Sequence, residues 1–226
     1  MCVDTNMTRA EIEQRYWRYY LLLESRFIDT IEYTEIHPDN YNAFSDNYAF
    51  IIQAIGAELD TMFKVYCGFN LDERKSINDY IKSIDYEECS ARSKHAVEHS
   101  FRNQIIRLDE YGIVIQPFKN WDVSKPGKSL EWWDAFDKLK HNRYKSRKMA
   151  NQKNCINLLG ALCFIEMKMA KKVTEDSLEI DVFDRKSKLF TLPSWSNRIV
   201  NQKDTINVLA DMIKTKGEYV FPEVDV

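Results

Sequence analysis

The stretch Ser129–Met169 sets two amphipathic segments on either side of a basic connection, and this limits the fold more than any other feature. In the first segment Leu130, Trp133, Phe136 and Leu139 recur at steps of three. In the second, Asn151, Cys155, Leu158, Leu162, Ile165 and Met169 recur at steps of three and four. Both spacings are helical. Between them lie Lys138, Lys140, His141, Arg143, Lys145, Arg147 and Lys148. Two such helices need apolar partners, and the rest of the chain supplies them.

Upstream, Thr8-Arg9-Ala10-Glu11 has the form of a capping box, in which the Thr hydroxyl and the Glu carboxylate close the first turn reciprocally. Behind it Ile12, Tyr16, Tyr19, Leu23, Phe27 and Ile31 form one stripe, widened by Tyr20, Leu21 and Leu22, so a well-buried helix is expected over 8–32. His37-Pro38-Asp39-Asn40 breaks it. A second helix is expected over 45–67, with Tyr48, Ile51, Ile52, Ile55, Leu59, Met62, Phe63 and Tyr66 inward and Gly68 as its left-handed stop. Asn70-Leu71-Asp72-Glu73 starts a shorter helix through Ile77, Tyr80, Ile81 and Ile84. The pattern then weakens from Asp85 to Arg102. Two short runs, Gln104–Leu108 and Ile113–Gln116, flank Asp109-Glu110-Tyr111-Gly112 and read as a hairpin. A lone hairpin is unstable, so it must lie on the helices. Ser129 is placed to cap the Trp132-Trp133 helix. After Val173 the chain is irregular, with an alternating run Ser177–Phe183, an apolar run Leu189–Pro193 and a last helix from Thr205 to Gly217.

The expected fold is therefore mainly α: a bundle of about five principal helices with a small hairpin and an irregular C-terminal third. No Gly/Ser linker or repeat divides the 226 residues, so a single domain is expected. Its parts are N-terminal helices in 8–67, a short helix and hairpin in 71–121, central helices in 129–172 and an extension over 173–226.

Charge excludes some functions and leaves others. The formal net charge is −3, so any nucleic-acid signal must be local. The five cysteines at 2, 67, 89, 155 and 163 are odd in number and contain no C-x-x-C. That argues against a disulfide framework or zinc ribbon and for a reducing cytoplasm. No apolar run approaches the length that spans a bilayer. No Walker loop, Rossmann glycines, G-x-S-x-G or EF-hand appears, and no cofactor is expected.

The basic connection has two readings. One is a solvated helix end, where cations suit the helix dipole. The other is a phosphate-binding face: Lys145, Arg147 and Lys148 supply charge, and Tyr144 offers a ring on which a base can stack. In that reading His141 exchanges protons near neutral pH, while Arg143 and Lys140 stabilise charge developing on a phosphate. A separate pattern, His95-Ala96-Val97-Glu98-His99, matches H-x-x-E-H. On a helix His95 and His99 would share a face toward zinc, with Glu98 as base and a third ligand such as Glu175 from elsewhere. The plainer reading is two polar histidines in a charged connection, and no metal site is expected. Adjacent Trp132 and Trp133 point about 100° apart on a helix. One is expected in the core and the other against a neighbouring helix or a second subunit, which makes a homodimer the expected assembly.

The run Trp132-Trp133-x-x-Phe136-x-x-x-Lys140-His141-Asn142-Arg143, followed by Ala150-Asn151-x-x-Asn154 leading an apolar helix, resembles uncharacterised bacterial and phage helical proteins near the HEPN superfamily. The resemblance covers about Gln116 to Lys172. It implies a helical bundle acting on RNA, as in ribonucleases of toxin–antitoxin and phage-defence systems. Cleavage there is metal-free: the 2′-hydroxyl attacks the adjacent phosphate, a His moves protons, an Arg stabilises the transition state, and two subunits often build one site. The usual mark is Arg followed four to six residues later by His. Here Arg143 follows His141 instead, and only Arg92 and His99 satisfy Arg-x6-His. The resemblance therefore leaves two functions open: an RNA-directed protein with a ribonuclease site at Lys140, His141 and Arg143 (alternatively Arg92 and His99), or a non-catalytic interaction protein such as an antitoxin-like or inhibitor partner. A zinc hydrolase using His95, Glu98 and His99 is the third.

Overall fold

The structure is a computed structural model that describes residues 7–90, 100–175, 181–193 and 195. It is mainly helical with one small hairpin, as expected. Arg92, His95, Glu98 and His99, the run Ser177–Ile180 and the Thr205–Gly217 segment lie outside the described residues.

Thr8 caps the first helix as its sequence predicts. Its hydroxyl accepts from Glu11 N at 3.2 Å, and its own N–H donates to the Glu11 carboxylate at 2.9 Å. The helix is not uniform. Helix α1 (Arg9–Ile12) passes through a π turn (Glu13–Trp17) into α2 (Arg18–Ile28). The wide turn inserts a residue into the helical repeat and rotates everything after it. Trp17, Tyr20, Leu23, Glu24 and Phe27 therefore face the core. The expected stripe is corrected: Tyr16 and Ile31 are half-buried, while Tyr19 and Leu22 are exposed.

Helix α3 (Asp46–Tyr66) is capped by Ser45, which accepts from Tyr48 N at 3.1 Å. All eight stripe residues from Tyr48 to Tyr66 are buried, and Gly68 follows with φ 71°. The next helix starts later than expected. Residues 71–73 form a turn, and α4 (Ile77–Ser90) begins only after Ser76, whose N–H and hydroxyl both donate to the Asp79 carboxylate. Asp85 on α4 then holds Arg102, which also donates to Trp121 O.

Strands β1 (Ile106–Leu108) and β2 (Ile113–Ile115) pair antiparallel with Ile106 opposite Ile115, and Gly112 closes the turn at φ 62°. Ile106, Leu108, Ile113 and Ile115 point inward. The short α5 (Pro126–Ser129) leads into α6 (Glu131–Asn142). Ser129 does not cap α6: its hydroxyl accepts from Asp122 N and donates to Pro126 O, and Leu130 stands at the cap without a side-chain bond. Both tryptophans are buried in the one chain. Trp132 donates to Pro117 O at 2.8 Å, and Trp133 packs edge-on to Phe63 and Phe136. They therefore supply no apolar surface for a second subunit.

Helix α7 (Gln152–Val173) is the centre. Asn151 caps it, accepting from Asn154 N at 2.9 Å. Leu158, Leu159, Leu162, Phe164 and Ile165 show that it is buried on several sides, as only a helix surrounded by others is. The hairpin lies on it through Gly160, where a Cβ would stand 2.7 Å from Ile115 Cδ1. The irregular segment 181–193 straps the outside. Phe183 stacks on Trp17 at 4.6 Å, Thr191 pairs with Arg107 of β1, and buried Glu24 accepts from Lys188 N and Leu189 N. One continuous core results, running from Met7 to Phe190.

Candidate nucleic-acid interface

The basic connection is built rather than slack. Asn142 ends α6 and accepts from Lys145 N at 3.2 Å; Ser146 N donates back to Asn142 O. A short 3-10 turn covers Arg147–Met149. Asn151 and Asn154 then donate to Lys148 O and Met149 O, at 3.2 and 2.9 Å. The exit of the connection is pinned to a distant loop. Ser45 N donates to Ala150 O, Gln152 N donates to Ala43 O, and Phe44 bridges to Asn151. Buried Gln152 adds a side-chain bond to Glu35 O at 2.9 Å.

This pinning brings Phe44 beside the cations. The Arg147 guanidinium lies 5.9 Å from the Phe44 ring centroid and 5.8 Å from that of Tyr144, within cation–π range of both. Tyr144 is 82% exposed and Phe44 44%. With Ser45, Asp46, Ala49 and Arg143 they line a shallow depression of about 320 Å³. Arg143 is held there by an ion pair with exposed Asp46. Lys145 and Lys148 are exposed and make no ion pair among the described residues. Tyr144 and the cations are legible in the sequence; Phe44 is not, because the Phe44–Asn151 bridge brings that ring here from a distant loop.

The expected catalytic trio is not gathered round one point. Lys140 lies over Phe136 and lines a different depression of about 760 Å³, with Asp60, Lys75, Ser76, Lys128 and Trp133. Arg143 lines the smaller depression with Phe44. His141 lines neither; it is 71% exposed and its Nε2 lies 3.4 Å from Asp137 Oδ1. The helix sets His141 apart: it is one residue from Lys140 and two from Arg143, which still has helical backbone angles, and such spacings do not face each other; Lys140 and Arg143, three apart, border different depressions. Lys138 pairs with Asp134 one turn back, as the helical spacing suggests.

Among the described residues no group of three His, Cys, Asp or Glu side chains is placed to hold a metal ion, and Glu175, the suggested third zinc ligand, is exposed. Cys155 and Cys163 are buried, and burial pushes both thiols up; it pushes Cys67 up to about 11. These thiols are poor nucleophiles and poor ligands at neutral pH. No described helix is long and apolar enough to cross a membrane.

One buried group was not anticipated. Glu166 of α7 is wholly buried, and neither carboxyl oxygen has a hydrogen-bond partner among the described residues. Burial, and the neighbouring Glu58, push its pKa well up. Glu58 is itself raised by burial, and Tyr16 of the π turn is raised by burial and by both carboxyls.

No family model, no curated protein and no solved structure matches the chain.

Proposed function

We propose that this protein binds RNA through the surface formed by Phe44, Tyr144, Lys145, Arg147 and Lys148, and that binding rather than cleavage is its chemistry there. The observation that carries this reading is the Arg147 guanidinium within cation–π range of two exposed rings, in a connection whose exposed Lys145 and Lys148 make no ion pair among the described residues. A charged groove supplies phosphate attraction and exposed rings supply stacking, the combination that sequence-tolerant single-strand binders use. The HEPN-like resemblance points to the same ligand. Lys140 and Arg143 border different depressions and His141 borders neither, which favours an RNA-directed protein that binds without cleaving over a ribonuclease working through them. Free thiols sunk in the core suit a reducing cytoplasm.

The test is fluorescence anisotropy with labelled single-stranded RNA across a salt series. The three cations of that surface, Lys145, Arg147 and Lys148, give an expected log–log slope of about −2. Arg147→Glu and Lys145→Glu should each weaken binding and flatten that slope by about 0.7 or more. His141→Ala should leave binding unchanged. Absence of binding at low salt would overturn the proposal. RNA cleavage that disappears in His141→Ala would restore the ribonuclease reading.

A further inference from the structure

The exposed rings do not stop at Phe44 and Tyr144. Two more stand on the adjoining surface: Phe50 on α3, 69% exposed, and Tyr33 at the end of the N-terminal helix, 83% exposed. They line one shallow depression of about 320 Å³ with Arg26, Asn47 and Ile51. The depression at Phe44 is walled by Ser45, Asp46 and Ala49, so the first turns of α3 form the ridge between the two. Asp46 and Phe50 are four apart and share a face of α3, and Asp46 is the partner of Arg143. Phe50 thus continues the surface that Arg143 and Tyr144 begin.

Nothing in the fold accounts for Phe50 or Tyr33. The buried residues of α3 lie on the opposite face, from Tyr48 through Ile51, Ile52 and Ile55. Large apolar groups left this open on adjoining sites mark a binding surface more often than chance. The charge around them is nearly balanced: Arg26 faces Asp29 at 4.0 Å, and no lysine lines this depression. Phosphate attraction is therefore weak here, and what the site offers is ring faces.

We infer that Phe50 and Tyr33 form a second stacking platform for the same RNA, so that the ligand is a single strand whose unpaired bases reach two sites either side of the α3 N-terminus. This rests on the RNA-binding reading above and adds the form of the ligand. A duplex keeps its base faces stacked inside and has nothing to offer a ring. A single strand presents them, and each base stacked on an aromatic side chain strengthens binding with little regard to sequence.

The two platforms differ in how they respond to salt, and this separates them experimentally. Anisotropy would be measured with labelled single-stranded RNA of about four and about twelve nucleotides, spanning the usual range of site sizes, and with a duplex of the longer length. The longer strand should bind more tightly than the shorter. Phe50→Ala and Tyr33→Ala should each weaken binding of the longer strand about fivefold or more, leave the short strand unaffected and leave the salt slope unchanged. Both side chains are exposed, so the folded state tolerates their loss, and unchanged thermal melting would verify it. If Lys145→Glu weakens binding but Phe50→Ala and Tyr33→Ala do not, the second platform is wrong and the first stands. Duplex bound as well as single strand has the same meaning. If no RNA binds at all, the reading under Proposed function fails and this one with it.

Discussion

Replacing Glu166 with leucine should make the protein more stable, and increasingly so as the pH rises. The side chain is wholly buried and neither oxygen has a partner among the described residues. A neutral carboxyl left unsatisfied in the core costs about 1–3 kcal/mol. Titration adds to this. The folded protein holds Glu166 protonated well above the ordinary value of 4.5, while the unfolded chain ionises it there. Between those two values the folded state binds more protons, so stability falls as pH rises, by about 1.4 kcal/mol per pH unit. The loss begins near the unfolded value and ends at the folded pKa. Leucine has similar bulk, no polar atom and no titration, so Glu166→Leu should gain ~1–3 kcal/mol near pH 4.5 and progressively more as the pH rises toward 7. Urea unfolding followed by the fluorescence of buried Trp17, Trp121, Trp132 and Trp133 measures it. Glu58 is also raised by burial, so Glu58→Gln is the control that assigns the slope to Glu166. A Glu166→Leu protein no more stable than its parent, or with the parent's pH slope, would refute the reasoning and show that the core supplies Glu166 with a partner.

Leu158→Ala and Leu162→Ala, both at wholly buried positions of α7, should each cost ~2–5 kcal/mol in urea unfolding; melts unchanged from the parent would mean that α7 is not central. Gly160→Ala drives a methyl into Ile115 Cδ1, so it should lower Tm and loosen amide protection in the hairpin, while Gly160→Ala combined with Ile115→Val should recover part of the loss. Glu24→Ala removes the acceptor of Lys188 N, Leu189 N and the Tyr20 and Ser187 hydroxyls. It should speed proteolysis within 181–193 before the helices are cut, and equal rates at both places would argue against a clamp.

How much of this was legible depends on how far apart in sequence the causes lie. The α3 stripe from Tyr48 to Tyr66 and the α7 stripe from Cys155 to Met169 are local periodicities, and burial follows them directly. The Thr8–Glu11 box and the Asn151 cap act within three residues and were equally visible. The N-terminal stripe misleads because the π turn at Glu13–Trp17 adds a residue that periodicity cannot show: Tyr16 and Tyr19 fit the regular repeat, yet the chain buries Trp17, which the repeat leaves out, and Tyr20, which it places only at the edge of the face. Ser129 misled because its hydroxyl is taken by Asp122 N, a bond across a loop. Glu166 carried a visible signal, a lone acid between Ile165 and Met167 in an apolar helix, and it went unread because helix periodicity scores position and not the lack of a partner.

The candidate site was the least legible part for a specific reason. Closeness in sequence suggests a catalytic group at Lys140, His141 and Arg143, yet a helix turns His141 away from both of the others, and Lys140 and Arg143 border different depressions. What does gather is Phe44, Tyr144 and Arg147, and two of these lie about a hundred positions from the third. Their meeting depends on two backbone hydrogen bonds, Ser45 N to Ala150 O and Gln152 N to Ala43 O, which carry no side-chain signature. The residues that matter for binding were thus readable as types, exposed rings and cations, while their grouping was a property of the loop that joins them. Breaking that grouping without touching a ring or a cation is the sharpest check. Gln152→Pro, at the first position of α7 where proline is tolerated, removes the N–H that donates to Ala43 O together with the side-chain bonds to Thr34 O and Glu35 O, and leaves every proposed RNA contact chemically intact. If the depression binds RNA because Phe44 is held beside Arg147, affinity should fall while the salt slope stays at its parent value. A parallel fall in slope would mean that the cations act alone and that Phe44 is a bystander.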